Sequence, residues 1–397
     1  MMVSLNLTLI VLAVPVLLLA LYLAVLAAAS RQARALPPGF PRLQFTFLVP
    51  AHDEEKVLAR TLESLFAVNW PHNMFRVHVV ADNCTDRTAD IARRAGASVT
   101  ERFDAGRRGK GHALAAGFAH CLADPFADAV IVIDADSTVD ADFLVAMQAH
   151  VESGEQVVQA RYGVLNAGAG WRARLMDIAL ALFHDVRSCG REVLGLSSGL
   201  RGNGMCFTRE ALNRLPPQST SIVEDVEQGI LLGRAGVTVH YALETRVLGE
   251  MPRQAAAAGT QRMRWESGRA QLRRRWLATL VAQAWRERSA VLADLALDLA
   301  MPPLSSLALI ILAGWLAASA VALRGGGPGA WETWSAAALL LLLYVARGVD
   351  ATGRGWRAWL DLGAAPLFVA WKLALRLRHR GPAALPWVRT ARAGERS

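Results

Sequence analysis

Hydrophobic and polar positions divide the chain into two apolar ends and a middle region of short alternating runs. Residues 5–29 carry no charged side chain, and a stretch of this length can cross a bilayer as a helix. No basic residue precedes the stretch, as one would in a cleaved signal peptide, so a retained membrane helix within residues 1–30 is favoured. Arg31, Arg34 and Arg42 follow it, which predicts that this end of the helix faces the cytoplasm.

A second apolar block occupies residues 291–380. It contains two predicted spans, 302–323 and 333–347, separated by a glycine-rich turn. The next apolar stretch, 356–377, has arginines at both ends, so both ends are expected on the cytoplasmic side. This stretch therefore predicts an interfacial or re-entrant helix rather than a further span. Residues 381–397 are expected to form a cytoplasmic tail.

The middle region, residues 43–290, is long enough for one sizeable α/β domain. Its short apolar runs predict buried strands, and between them apolar positions recur at helical spacing. The predicted strands are 45–49, 77–81, 98–101 and 129–133. The predicted helices are 54–66, 86–95 and 113–122. This alternation predicts a mixed, mostly parallel sheet with helices on both faces.

Composition and charge agree with a protein that lies partly in lipid. Only 19% of the residues are charged, against about 25% in ordinary soluble domains. Much of the net charge of +9 lies in residues 262–275 and beyond residue 372, where it suits anionic lipid head groups. Because these basic runs flank the membrane segments and no nucleic-acid motif occurs, nucleic-acid binding is not expected. The four cysteines lack C-x-x-C spacing and lie in the region assigned to the cytoplasm, where thiols stay reduced.

Two carboxylates, Asp134 and Asp136, come directly after the apolar run 129–133. Ligands of open α/β sheets bind at the carboxyl ends of the strands. Mg²⁺ and Mn²⁺ take oxygen ligands and commonly bridge carboxylates to phosphates. The pair therefore predicts a metal site for a nucleotide diphosphate. Asp is also frequent in solvated turns, which is the alternative interpretation of the same residues.

Two more acidic loops are predicted at the same edge of the sheet, at residues 50–55 and at Asp82. A cation, Lys110, lies between two glycines next to a predicted helix start. Glycines allow close approach of the backbone to a ligand, and a lysine supplies a point charge for a phosphate. Each loop alone fits ordinary turn chemistry, but three acidic loops at one edge favour a nucleotide site.

The sequence resembles membrane-bound family 2 glycosyltransferases of the GT-A fold, a group that includes cellulose, chitin and hyaluronan synthases and ceramide glucosyltransferases. Six segments carry the resemblance, in the family's order, and the most specific is Q-x-x-R-W. They are VPAHDEE at 49–55, VVADN at 79–83, GKGHAL at 109–114, DAD at 134–136, ED at 224–225 and QRMRW at 261–265. Departures from the family pattern are His52-Asp53 for Tyr-Asn, Ala81 for the first of two paired aspartates, and Val223 for Thr.

The resemblance implies a Rossmann-like GT-A domain in the cytoplasm that transfers a sugar with inversion from a nucleotide-sugar donor, expected to be UDP-linked. It implies that Asp225, next to Glu224, is the catalytic base, and that Asp136 and Asp134 hold Mg²⁺ or Mn²⁺. Implied donor-binding residues are Pro50, Glu54, Asp82, Lys110, Asp134, Gln261, Arg264 and Trp265. The glycine-rich turn 198–205 is expected to bind the acceptor through Arg201 and Asn203.

Two uses of such an enzyme fit the sequence. The favoured expectation is synthesis of an extracellular β-linked polysaccharide, and the alternative is single transfer to a membrane lipid. A non-catalytic membrane scaffold is a more distant third. The acceptor is thus a growing glycan or a lipid, at a multi-pass protein of a bacterial-type inner membrane. Three spans are few for a polymer channel, so a homo-oligomer or an accessory export partner is expected for the polysaccharide role.

Overall fold

The computed structural model describes residues 1–33, 35–217, 221, 223–251 and 255–370, except for the side chains at 255–258 and 260–262. Several sequence-based expectations therefore lie outside the described residues. They concern Arg34, the side chain of Gln261, the end of the predicted interfacial helix at 371–377 and the predicted tail at 381–397.

The described part of the chain contains one sheet of eight strands, and its parallel half is made of the four predicted strands. These are β1 (Phe45–Ala51), β2 (Phe75–Asp82), β3 (Ser98–Arg102) and β4 (Ala129–Val132). They lie in the order β3-β2-β1-β4, and every neighbouring pair is parallel. Their carboxyl ends therefore meet at one edge, as the sequence analysis predicted.

The other half of the sheet consists of four strands that the sequence analysis did not predict. They are β5 (Ser137–Val139), β6 (Val157–Val164), β7 (Met205–Thr208) and β8 (Val239–Gly249). Strand β7 runs antiparallel to both β4 and β6, while β8 pairs parallel to β6 and antiparallel to β5. The mixed, mostly parallel sheet is thus confirmed.

Helices cover both faces of the parallel half. They are α2 (Leu58–Phe66), α3 (Thr88–Arg94), α4 (Lys110–Ala123) and α5 (Phe143–Glu152). Because side chains alternate across a strand, Phe47 and Val49 of β1 join one apolar core and Leu48 joins another. Helix α4 packs closely on the second face, where a Cβ atom at Gly117 would lie 2.3 Å from Leu48 Cδ1.

Three predicted helix starts were wrong. The helix predicted from residue 113 begins at Lys110. The helix predicted from residue 54 begins at Leu58, because the preceding residues form a turn in which Asp53 has φ +53° and the Glu54 N–H donates to Thr88 Oγ1 at 2.8 Å. The helix predicted from residue 86 begins at Thr88. Thr85 does not cap it, since its N–H donates to Asp53 Oδ1 at 2.7 Å instead. Both turns place their residues at the edge of the sheet where the site lies.

Three helices in the described part of the chain are long and apolar enough to cross a membrane. They are α1 (Met2–Ala29), α12 (Leu304–Leu323) and α13 (Gly329–Ala351). Helix α13 lies along α1, and Trp334 Nε1 donates to the Leu9 carbonyl at 3.2 Å. The stretch that was expected to be interfacial begins with a seven-residue helix, α14 (Trp356–Leu362). Which of these segments lie in the bilayer stays a prediction.

Residues 171–193, which belong to the predicted soluble region, pack against these apolar helices. They form α6 (Trp171–Leu180), a π-helical turn (Ala181–Val186) and α7 (Arg187–Val193). Gly190 touches α1 so closely that a Cβ atom there would lie 2.4 Å from the Leu26 carbonyl oxygen. The sheet and the apolar helices are therefore joined by an extensive packed interface.

Candidate active site

One cavity of about 1150 Å³ opens at the carboxyl edge of the parallel strands and continues toward the apolar helices. Eleven of the predicted site residues line it, and they come from loops that are far apart in sequence. They are Pro50, Glu54, Asp82, Lys110, Asp134, Asp136, Arg201, Glu224, Asp225, Arg264 and Trp265. The structure thus brings the loops that were singled out from the sequence into one place.

The loop that carries the two aspartates is held by residues from distant segments. Lys110, in the first turn of α4, forms an ion pair with Asp134 and also donates to the Gly202 carbonyl at 2.5 Å. Although burial opposes its charge, the carboxylate of Asp134 raises the pKa of Lys110 above the ordinary value. Ser137 donates to Asp136 Oδ1 at 3.1 Å. Lys110 therefore stays charged at the wall of the cavity.

Asn203, a predicted acceptor-binding residue, does not line this cavity and is fully buried. Its side-chain oxygen accepts from the Asp134 backbone N–H at 3.1 Å, and its nitrogen donates to Ser137 Oγ at 2.8 Å. These contacts fix the backbone of the aspartate loop. Contact between Asn203 and an acceptor stays a prediction, whereas Arg201 in the same turn does line the cavity.

The predicted base lies in the first turn of α9 (Glu224–Arg234), where the helix dipole favours anions. Burial raises the pKa of Glu224 to about 7, with Lys110 acting in the opposite direction. Burial also raises the pKa of Asp225 above its ordinary value, against hydrogen bonding from the Val226 N–H. A carboxylate whose pKa is raised toward neutrality is a more effective proton acceptor at neutral pH.

The two acidic loops at residues 50–55 and at Asp82, which were predicted to bind the donor, are held in place by hydrogen bonds. Arg102 donates to the nearly buried Asp82 Oδ1 at 2.6 Å, so one oxygen of that carboxylate is already engaged. His52, which replaces the family's Tyr, lines the cavity with its Nδ1 atom 2.6 Å from the Asp82 carbonyl. Asp53 and Asn83 both have positive φ, as expected for tight turns at strand ends.

The Q-x-x-R-W segment lies in α10 (Ala255–Glu287), which contributes residues to the wall of the cavity. Arg264 and Trp265 both line it. Burial lowers the pKa of Arg264, while the nearby Glu224 acts to raise it, so the cation lies within reach of the acidic pair. Trp265 also packs against an apolar cluster that includes Val223. The position of the Gln261 side chain is outside the described residues.

Four arginines that the sequence analysis did not single out as a group lie beyond the acids. We call Arg187, Arg191, Arg201 and Arg269 the arginine cluster; the first two are buried and the other two are partly buried. Asp298, in α11 (Ala290–Ala300), accepts hydrogen bonds from three of them. The partners are Arg187, Arg191 at 2.8 Å and Arg269 at 3.2 Å. The spacing of four residues between Arg187 and Arg191 is a local signal that could have marked this face.

A second carboxylate completes this network. Asp294, one turn before Asp298, lies 2.8 Å from Arg191 Nε and accepts from the Tyr22 hydroxyl at 2.6 Å. Tyr22 belongs to α1, so the network connects the domain that contains the sheet to an apolar helix. Asp294 and Asp298 share one face of α11 at the same four-residue spacing.

The far wall of the cavity is apolar. Its side chains come from α6, the π-helical turn, α12 and α13, and belong to the apolar cluster that these helices share. Examples are Leu175, Ile178, Leu182, Leu307, Leu341 and Tyr344. The cavity therefore has an acidic half at the sheet edge, an arginine cluster beyond it and an apolar half among the candidate membrane helices.

The paired aspartates fit a hard divalent cation, since both offer carboxylate oxygens at the cavity wall. Groups of three or more metal-binding side chains within the described residues lie elsewhere, at Asp53/Cys84/Asp86 and Glu155/Glu192/His240. A cation held by two carboxylates would complete its shell with diphosphate oxygens and water, which is the usual arrangement for Mg²⁺ at nucleotides.

Comparison with known proteins agrees with the motifs. The family described as Glycosyltransferase like family 2 matches residues 41–268. A probable glycosyltransferase of Bacillus subtilis is 26% identical over 235 residues, which cover 56% of this chain and 54% of that protein. A beta-monoglucosyldiacylglycerol synthase of Synechocystis is 28% identical over 234 residues, covering 57% and 48%. Glucomannan 4-beta-mannosyltransferase 7 of Arabidopsis thaliana is 23% identical over 244 residues, covering 59% and 44%.

The chain spans about half the length of the curated relatives it matches. Among solved structures, a mannosyltransferase from Pyrobaculum calidifontis in complex with GDP-Man and Mn²⁺ has the same fold. The TM-score is 0.55 at 19% identity, over 95% of this chain and 98% of that one. The predicted GT-A fold is thereby confirmed. Since the family match extends over more than half of the sequence, the chain belongs to the family described as Glycosyltransferase like family 2.

Proposed function

We propose that the protein transfers a sugar, with inversion, from a nucleotide-diphosphate donor to a lipid acceptor in the membrane. The observation that carries this proposal is the continuity of the cavity. Its acidic half contains the family motifs, and its apolar half is lined by α6, α12 and α13. A lipid could keep its chains in the apolar half while its head group reaches the acids. This reverses the order of the two acceptors that was expected from the sequence.

In the proposed reaction the acceptor hydroxyl attacks the anomeric carbon of the sugar. The oxygen–carbon bond forms as the bond from that carbon to the diphosphate breaks, and Asp225 takes the hydroxyl proton. Burial of Asp225 and its raised pKa support this role. Lys110 and Arg264 supply cations toward the leaving diphosphate.

Asp136 and Asp134 would hold the divalent cation, Mg²⁺ or Mn²⁺. When bound, such a cation neutralises charge that develops on the leaving diphosphate. Lys110 already pairs with Asp134 and would share that carboxylate with the cation. The donor is proposed to be a UDP-sugar, and the GDP-Man in the Pyrobaculum structure makes a GDP-sugar the first alternative to test.

We place the protein in a bacterial-type inner membrane as a multi-pass protein. Its proposed parts are an N-terminal membrane helix in 1–30, a cytoplasmic GT-A domain in 43–290 and a membrane region in 291–380. The three apolar helices support this arrangement. A catalytic domain in the cytoplasm would also have direct access to nucleotide sugars.

A second candidate is synthesis of a β-linked polysaccharide, favoured by the similarity to glucomannan 4-beta-mannosyltransferases. That role would require a path for the polymer, which a homo-oligomer or an export partner could supply. The relative that acts on a lipid, the beta-monoglucosyldiacylglycerol synthase, has a similar identity to this chain. The relatives therefore do not separate the two candidates, and the apolar half of the cavity is the observation that favours lipid.

The test is incubation of the purified full chain with radiolabelled UDP- and GDP-sugars, Mn²⁺ or Mg²⁺, and extracted bacterial membrane lipids. We expect a labelled product that partitions into organic solvent and is absent with the Asp225→Asn variant. A labelled product of high molecular mass that stays in the aqueous phase would instead support the polysaccharide candidate and refute the lipid proposal.

A further inference from the structure

We propose that the lipid acceptor carries a phosphate group, and that Arg187, Arg201 and Arg269 bind this group between the acidic and apolar halves of the cavity. This inference rests on the proposed lipid acceptor and specifies its chemical class. All three side chains line the cavity, and Arg191 of the arginine cluster lies behind them.

The three guanidinium groups converge on one aromatic ring. The guanidinium carbons of Arg201, Arg187 and Arg269 lie 4.3, 4.8 and 5.9 Å from the centroid of the Phe183 ring. Phe183 belongs to the π-helical turn and lines the cavity with them. Like charges gathered around one ring repel each other unless an anion lies between them.

The buried charges near this ring do not balance. The arginine cluster supplies four positive charges, while Asp294 and Asp298 supply the two carboxylates that pair with it. The neighbouring His184 adds no further positive charge, because burial and the nearby Arg201 hold its pKa well below the ordinary value and keep it neutral. Two positive charges therefore remain without a directly paired carboxylate in this network, although the charge of Arg201 also acts on Asp225. Buried charge without a counter-ion is costly. A phosphate group supplies one or two negative charges.

Arg201 is the member of the cluster best placed to bind such a group. Within the described residues no carboxylate lies at ion-pair distance from it, and its guanidinium group donates from Nη2 to the Ser198 carbonyl at 2.8 Å. Burial lowers its pKa to about 10, and the neighbouring Arg191 and Arg187 contribute to this shift. Its Nε atom, Nε of Arg187 and Nη1 of Arg269 are buried donors without a hydrogen-bond acceptor. An arginine fork suits phosphate oxygens.

The two polar regions of the cavity differ in sign, which separates this site from the donor site. The donor side contains Asp134, Asp136, Glu224 and Asp225 against Lys110 and Arg264, so it is acidic before a metal binds. A lipid phosphate would be repelled there and attracted to the arginine cluster. The apolar residues next to the cluster, Leu182 and Tyr344 among them, would contact the acyl or prenyl chain.

Asp225 indicates which atom of the acceptor reacts. A phosphate monoester could attack through its own oxygen and would need no base, whereas a head-group hydroxyl needs a proton acceptor. The presence of the base favours a phosphodiester lipid whose head group also carries a hydroxyl. The hydroxyl oxygen then bonds to the anomeric carbon, its proton moves to Asp225, and the nucleoside diphosphate leaves.

Three lipids with identical acyl chains test the proposal. They are dioleoylphosphatidylglycerol as a phosphodiester, dioleoylphosphatidic acid as a phosphomonoester and dioleoylglycerol without phosphate. Native mass spectrometry of the full chain measures the apparent Kd for each, using wild type, Arg201→Gln, Arg201→Lys and the exposed control Arg274→Gln on α10. Calorimetry of UDP and GDP with Mn²⁺ measures donor binding by the same preparations.

We expect the phosphate lipids to bind at least about tenfold more tightly than dioleoylglycerol, and Arg201→Gln to remove this preference. Arg201→Lys should keep most of it, and Arg274→Gln all of it. Tighter binding of phosphatidylglycerol identifies a diester acceptor, and tighter binding of phosphatidic acid a monoester. Equal affinity for all three lipids in wild type would overturn the proposal. So would an Arg201→Gln variant that loses nucleotide binding but keeps its lipid preference, since the cluster would then bind the donor. Absence of sugar transfer to any lipid would refute the proposed function without changing these binding results.

Discussion

Replacing Asp298 with asparagine should lower the free energy of unfolding by about 3–5 kcal/mol, the usual cost of removing one partner from a buried ion pair. Asp298 is 7% exposed and is bonded to Arg187, Arg191 and Arg269. Once the charge of Asp298 is removed, three guanidinium groups share this site with Asp294 as the remaining acid. The change is nearly isosteric, so the loss reports charge rather than packing.

Thermal unfolding in a neutral detergent, followed by tryptophan fluorescence, measures the effect. The matched control is Asp90→Asn, which removes an aspartate that also pairs with an arginine but is 61% exposed. Exposed pairs contribute about 0–1 kcal/mol. We expect the Tm of Asp298→Asn to fall by roughly 6 °C or more and that of Asp90→Asn to change by a few degrees at most. Equal shifts in the two variants would refute the reasoning.

The pH dependence supplies a second check on the same variant. Burial opposes ionisation of Asp298, but Arg191, Arg187 and Arg269 outweigh it and hold its pKa well below the ordinary value. A carboxylate with a depressed folded-state pKa stabilises the protein above its unfolded pKa, near 4, and loses this contribution as the pH falls through the folded value. The difference in Tm between wild type and Asp298→Asn should therefore be constant from neutral pH to about pH 4 and narrow in stronger acid. If the difference in Tm disappeared between pH 7 and 5, the depressed pKa assigned to Asp298 would be wrong.

Further predictions concern the reaction, the topology and the packing. Asp225→Asn should abolish transfer but keep nucleotide binding measured by calorimetry; wild-type turnover would exclude Asp225 as the base. Asp136→Ala should weaken UDP or GDP binding when Mn²⁺ is present and match wild type in EDTA, because only the cation joins the two anions. A reporter fused after Gly327 should lie outside the cytoplasm, and one fused at the C-terminus should lie inside it. A C-terminal reporter outside the cytoplasm would mean that residues 356–377 cross the bilayer. Gly190→Ala should lower stability by about 1–3 kcal/mol through its contact with α1, whereas Gly168→Ala, with open space around its Cβ position, should not.

Most of the parallel half of the sheet could be predicted because β1, β2 and β4 are largely apolar runs between polar turns. In the other half, β5 and β7 could not be predicted, because they have only three and four residues and their pairing depends on partners far along the chain. Helix starts at 54 and 86 were placed too early, because hydrogen bonds between the two turns replace the first helical bonds there. The local sequence pattern does not show these hydrogen-bond partners, because they lie in another turn of the chain.

The same limit applies to the site. Asp134, Asp136, Asp225 and Arg264 stand in short motifs that sequence comparison can detect, and the structure gathers them in one cavity. The arginine cluster is assembled from three segments of the chain. Arg187, Arg191 and Arg269 look like ordinary basic residues until the fold places Asp298 beside them. Charge networks that close over about a hundred residues have no local sequence signature beyond four-residue spacing on a helix.

The π-helical turn between α6 and α7 means that an extra residue is accommodated inside a helix rather than in a loop. In an α-helix each residue advances by about 100°, so the chain after the turn is rotated by roughly that angle. Leu175 and Ile178 therefore pack against the apolar helices, while Arg187 and Arg191 point toward α11. An alignment that runs through residues 181–186 without a gap, against a relative with an uninterrupted helix, would assign these arginines to the wrong face. Binding roles can be transferred between such relatives only if the alignment allows for this one extra residue.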